Sequence, residues 1–144
     1  MSLSSQPDYY RRDQDRGVTA PDPSKDCAFA EHVVRARGKR TRFTSVSLDK
    51  TKIDDFGPAL YLALRLPISQ DGHSIVEHSE LIAALRATAV TGQKADRERA
   101  LQAIRYATRR KEGLVDWKFD HHGVERKDII SFAFNAVQKY FERV

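Results

Sequence analysis

The chain of 144 residues carries 25 Lys and Arg against 20 Asp and Glu, a formal net charge of +5, with 40% hydrophobic and 31% charged residues. That length suits one domain, and the excess of charge over an average globular sequence points to a stretch that does not fold. The single cysteine, Cys27, excludes an intramolecular disulfide and a cysteine-based zinc site, and the longest largely apolar stretch, residues 58–68, is too short for a spanning helix and is broken by Arg65.

Residues 1–26 hold Pro7, Gly17, Pro21 and Pro23 among many polar side chains and read as a disordered N-terminal arm, with Tyr9 and Tyr10 beside Arg11 and Arg12 as its one candidate recognition element. Residues 27–144 then form a single α+β domain. Residues 27–36 are a short helix or strand leading into the run RARGKRTR at 35–42. Arg42, Thr44, Val46 and Leu48 alternate against Phe43, Ser45 and Ser47, which predicts a strand. Residues 49–57 form a turn or one short helix, ended by Gly57-Pro58. Leu60, Leu62, Leu64 and Leu66 fall on every second residue, so a second strand is expected, with these leucines on one face and Pro67 at its end.

Ser74 and Glu77 have capping-box spacing, predicting a helix over 75–90 with Ile75, Ile82, Leu85 and Ala89 inward. A second helix is expected over 94–111, with Ala100, Leu101, Ile104 and Ala107 inward and Gly113 as its stop. Val115, Trp117 and Phe119 alternate with Asp116, Lys118 and Asp120, predicting a third strand with one buried and one polar face and a turn at 121–123. From 126 to 143 the spacing of Ile129, Ile130, Ala133, Val137, Tyr140 and Phe141 is helical, and Phe132 and Phe134 imply burial on more than one side. The order β-β-α-α-β-α predicts a small three-stranded sheet packed against about three helices.

The candidate functional residues are basic. Arg35, Arg37, Lys39, Arg40 and Arg42 occupy the 35–42 run with no acid among them, and Arg97, Arg105, Arg109 and Arg110 lie on the second helix. Closely spaced cations of this kind neutralise phosphates and release counterions, and Phe43 beside the run is a candidate for base stacking. The expectation is a nucleic-acid-binding accessory or regulatory protein with DNA or RNA as partner. The alternative is a protein-interaction module, an adaptor or inhibitor, or a homodimer through the aromatic C-terminal helix. A metal-assisted phosphoesterase built on Asp116, Asp120, His121 and His122 ranks third, since no HExxH or similar ligand spacing accompanies them. Phosphate-cradling loops and nucleophile elbows are also missing from the sequence, so a binding protein without cofactor or metal is expected, cytoplasmic and away from membranes.

Two local similarities complete the picture. TRFTSVSLD resembles the ribbon strand of ribbon-helix-helix DNA-binding proteins and HGVERKDIISFAFNAVQKYF resembles their second helix, which would turn Phe43, Ser45 and Ser47 toward a groove. The long separation of the two segments and the leucine alternation between them depart from that family, and no assignment follows. VEHSELI at 76–82 and VERKDII at 124–130 resemble each other as two uses of one helix-start pattern.

Overall fold

A computed structural model of the chain describes residues 8–35, 40–53, 56–63 and 73–144. Their elements run β1 (Tyr9–Asp13), α1 (Phe29–Arg35), β2 (Phe43–Ser47), β3 (Ala59–Ala63), β4 (His73–Val76), α2 (His78–Thr91), α3 (Lys94–Arg110), β5 (Glu112–Trp117), α4 (Ile129–Gln138) and β6 (Phe141–Arg143), with a short 3-10 turn, Arg126–Asp128, leading into α4. The strands form one antiparallel sheet in the order β4-β5-β2-β1-β3-β6.

The chain is therefore α+β, but the expected three-stranded sheet is overturned: the described residues build six strands and four α-helices. Each extra strand has its own cause. β1 comes from the segment read as a disordered arm, where Tyr9, Arg11 and Asp13 are buried by pairing with β3 and by packing against β5. Gly113 of β5 makes room for Tyr9, since a Cβ there would lie 2.7 Å from the Tyr9 ring. β4 occupies the residues expected to begin α2; the helix instead starts at His78, with the capping box formed by Glu77 and Glu80. β6 takes the end of the predicted C-terminal helix, and Ala63 pairs with Phe141.

The strands predicted from the alternations around 42–48 and 60–66 are present as β2 and β3, but the inward face of β3 differs from expectation. β3 buries Ala59, Tyr61 and Ala63 rather than the leucines; Leu60 and Leu62 are half-buried, and Leu64 and Leu66 lie outside the described residues. β5 is buried on both faces, which removes the polar face expected of it. Central position explains this: β5 lies between β4 and β2 and is covered on both sides. On one side Leu114 and Phe43 meet Leu81, Leu85, Ala103 and Ala107 of α2 and α3 and Val33 of α1. On the other, Val115, Val46 and Trp117 pack with Tyr9, Phe119 and Val137 of α4. The C-terminal aromatics are spent inside this second layer, Phe132 against Phe119 and Tyr140 against Trp117. Both copies of the repeated sequence pattern lead into helices, α2 and α4.

One seam in the sheet is imperfect. β1 pairs with β3 along its whole length but registers with β2 only at Tyr10 opposite Ser47. Beyond that point the two strands part, and the Ser45 carbonyl accepts a hydrogen bond from the Arg11 guanidinium at 2.9 Å in place of a backbone amide.

Candidate functional site

A cleft of about 510 Å³ opens along this seam. Its size is that of a small-molecule site, which typically spans roughly 300 to 1,000 Å³. Arg11, Arg40, Lys52 and Arg110 bring positive charge to its walls, and Val33, Ile53, Phe56 and Tyr106 contribute apolar surface. Glu112, His32, Thr41, Ser45 and Ser47 supply the polar lining.

Each polar group is placed by local structure. α3 stops where Lys111 takes a left-handed conformation (φ 50°, ψ 49°) and its amide caps the Ala107 and Thr108 carbonyls. That turn delivers Glu112 as the first residue of β5, 1% exposed, with the Arg110 Nη1 3.5 Å from its Oε1. The Ser47 hydroxyl of β2 donates to the Arg110 carbonyl at 2.5 Å, tying the end of α3 to the sheet. His78 fixes the other side: its Nδ1 donates to the Glu112 carbonyl at 2.8 Å.

A hydrogen-bonded chain starts at Glu112. Ser45 Oγ donates to Glu112 Oε2 at 2.7 Å, and His32 Nε2 lies 2.8 Å from the same hydroxyl. A serine hydroxyl has one proton, so once it is given to Glu112 the serine can only accept from His32, which assigns the His32 proton to Nε2. Nδ1 is then an acceptor and takes the Thr41 hydroxyl proton at 2.7 Å; Thr41 Oγ1 accepts in turn from the Phe43 amide at 3.1 Å. Burial, with the charges of Arg11 and Arg110 adding to it, pushes the His32 pKa down to about 4, so the ring is neutral at pH 7.

Arg11 is held by three partners: Asp13 Oδ2 accepts from its Nε at 2.8 Å, Ser45 O accepts from its Nη1, and the Phe56 ring faces its guanidinium at 4.9 Å. Burial works to raise the Asp13 carboxyl, but the Arg11 charge and hydrogen bonds from Thr19 outweigh it and hold the group below the usual carboxylate range.

Of the residues proposed from the sequence to contact nucleic-acid phosphates or bases through the two basic segments, Arg40, Phe43 and Arg110 border this cleft. Arg40 donates to the Ala20 carbonyl at 2.8 Å. Phe43 is 3% exposed, packed edge-on against Phe29 and His32, so its faces are closed to a base. Arg42 lies elsewhere, bound to Asp116 and Asp26 and stacked on Phe43. Arg37, Lys39 and the side chain of Arg35 lie outside the described residues. Arg97, Arg105 and Arg109 are exposed on α3. Asp116 is engaged by Arg42, His121 bonds the Phe119 carbonyl, and Asp120 the His122 amide. No group of three or more His, Cys, Asp or Glu able to hold a metal occurs among the described residues. None of their helices is long and apolar enough to cross a membrane.

Sequence reasoning missed Asp13, His32 and Glu112; it named Arg11 only beside the tyrosine pair of the arm, and Ser45 and Ser47 only through the ribbon-strand resemblance. The alternation of Tyr9, Arg11 and Asp13 was the available signal for β1; the spacing of Ser45 and Ser47 put both on one side of a strand already foreseen. Nothing local connects either to Glu112, since these contacts cross the sheet. Comparison with protein-family models, curated proteins and solved structures finds no match for this chain.

Proposed function

We propose that the seam between β1 and β2 is an active site that takes a phosphate-bearing nucleotide of the pyridinium dinucleotide class and transfers its sugar from the pyridinium nitrogen to a nucleophile. The observation that carries this reading is the buried Glu112 carboxylate, fixed by Ser45 and flanked by Arg110 in a cleft that also holds Arg11, Arg40 and Lys52.

The chemistry follows from the charges. Arginines and a lysine around a cleft suit a pyrophosphate, and the apolar walls suit flat rings. A carboxylate in the cleft wall stabilises positive charge that develops on a sugar as its glycosidic bond breaks, and it can hold a ring hydroxyl whose hydrogen bond strengthens in that transition state. Ordinary glycosides also need an acid for the leaving group. Here His32 is neutral with its proton committed to Ser45, and Asp13 is ionised and bound by Arg11 and Thr19. A pyridinium ring needs no such acid, because it departs neutral with the bond's electron pair. The anomeric carbon then bonds the nucleophile, whose proton passes to Glu112 and on to water.

Incubation with nicotinamide adenine dinucleotide tests this directly. The wild type is expected to release nicotinamide, and Glu112→Gln to lower that rate by at least about 100-fold. No release by a folded wild-type protein, with water or added nucleophiles as acceptor, would remove the proposal.

A further inference from the structure

The second half of α3 carries two arginines, Arg105 and Arg109, that the cleft does not use. From Gln102 to Lys111 the chain has Arg105, Arg109, Arg110 and Lys111 and no acidic residue, while the acids of α3, Asp96 and Glu98, lie near its start. Gln102, Arg105 and Arg109 are exposed, and with Tyr106 they wall a shallow groove of about 440 Å³. Arg105 and Arg109 make no ion pair among the described residues. They stand one helical turn apart on one stripe. Tyr106 lines both the groove and the main cleft, so the two lie on either side of one side chain. Guanidinium groups flank that ring, Arg109 at 5.2 Å and Arg110 at 5.3 Å from its centroid.

We infer that the nucleophile receiving the sugar is presented by a single-stranded nucleic acid laid along this groove, a statement that rests on the reading of the cleft given above. Positive charge alone would suit an acidic peptide equally well. The interleaving of cations with a flat ring favours a nucleic acid, whose phosphates pair with Arg105 and Arg109 while a base stacks on the guanidinium layered over Tyr106. A single strand is required because a base must leave any stack to reach from the groove past Tyr106 into the cleft. In the transfer, the bond between anomeric carbon and pyridinium nitrogen breaks with its electrons going to nicotinamide. A bond forms to an oxygen or nitrogen of the strand, and the proton displaced goes to Glu112 and then to water.

The test uses the full chain with a short fluorescent single-stranded oligonucleotide, read by anisotropy across a salt series, beside nicotinamide release measured without oligonucleotide and mass analysis of the oligonucleotide after incubation with dinucleotide. Binding should weaken steeply with salt and fall at least about tenfold in the Arg105→Glu/Arg109→Glu double variant. That variant should keep the wild-type rate of nicotinamide release, and the wild-type oligonucleotide should gain the mass of the transferred group. An oligonucleotide that stays unbound at low salt, binds the double variant equally, is displaced as readily by polyglutamate, or gains no mass while nicotinamide is released overturns the inference and leaves the cleft reading intact. A bound oligonucleotide with no nicotinamide release at all overturns the cleft reading and the transfer with it.

Discussion

His32 spends both ring nitrogens on hydroxyl groups and has its pKa depressed to about 4, against 6.5 in the unfolded chain. Between those values the unfolded state binds a proton that the folded state refuses, so stability rises with pH there. Its contribution is complete above about pH 6.5, is lost as the pH falls toward about 4, and is level below that, amounting to about 3 kcal/mol at most. Urea unfolding at a series of pH values should show this decline, and His32→Gln should flatten it; an unchanged slope in the variant would mean that the ring titrates normally. Asp13, with its lowered pKa, adds a further loss only in stronger acid. Ser45 joins the same chain from the other end. Ser45→Ala strips a partner from both His32 Nε2 and Glu112 Oε2, and should cost about 1 to 3 kcal/mol of stability. A loss within a few tenths of a kcal/mol would show that these groups find other partners. The site was least legible at this scale. His32 has no partner within its own segment; its contacts are with Thr41 and Ser45, which only the fold brings near.

The turn from α3 into β5 is the element that aims Glu112. Its left-handed residue is Lys111, where a Cβ is unfavourable by roughly 1 to 2 kcal/mol. Lys111→Gly should therefore raise stability by roughly 0.5 to 1 kcal/mol, after the greater freedom of glycine in the unfolded chain is subtracted, without changing nicotinamide release. A destabilised variant would show that the lysine side chain, not the turn, is what matters. The helix α3 was legible because Ala100, Ile104 and Ala107 recur at helical spacing, but Leu101, expected inward, is exposed, and Ala103 takes the buried place instead. Its stop was assigned to Gly113 because glycine is the usual left-handed residue. Here Gly113 serves a close approach by Tyr9 within β5 instead. The short strands β4 and β6 failed for a related reason: each abuts a helix, so its apolar residues were absorbed into that helix's period.

Across the molecule, the N-terminal strand joins two halves of the sheet that would otherwise be separate, β4-β5-β2 and β3-β6. Its polar composition hid this, because β1 is held by pairing and by inward polar groups that satisfy one another, Arg11 with Asp13 among them. Tyr9 is the anchor: 1% exposed, in contact with Gly113, and accepting the His78 amide at 2.8 Å. Tyr9→Ala should cost about 3 to 5 kcal/mol, on the scale of a large aromatic removed from a core. A thermal midpoint unchanged from wild type would restore the disordered arm. The cleft depends on the same strand, since it lies where β1 separates from β2 and exists only when both are present. If Glu112 acts on the breaking glycosidic bond while the cations hold the phosphates, binding and turnover separate when its charge is removed. Measuring dinucleotide affinity and turnover together for wild type and Glu112→Gln tests this most directly. The variant should show a Kd within about threefold of wild type and a kcat lower by at least about 100-fold; equal turnover in the two proteins would overturn the role given to Glu112.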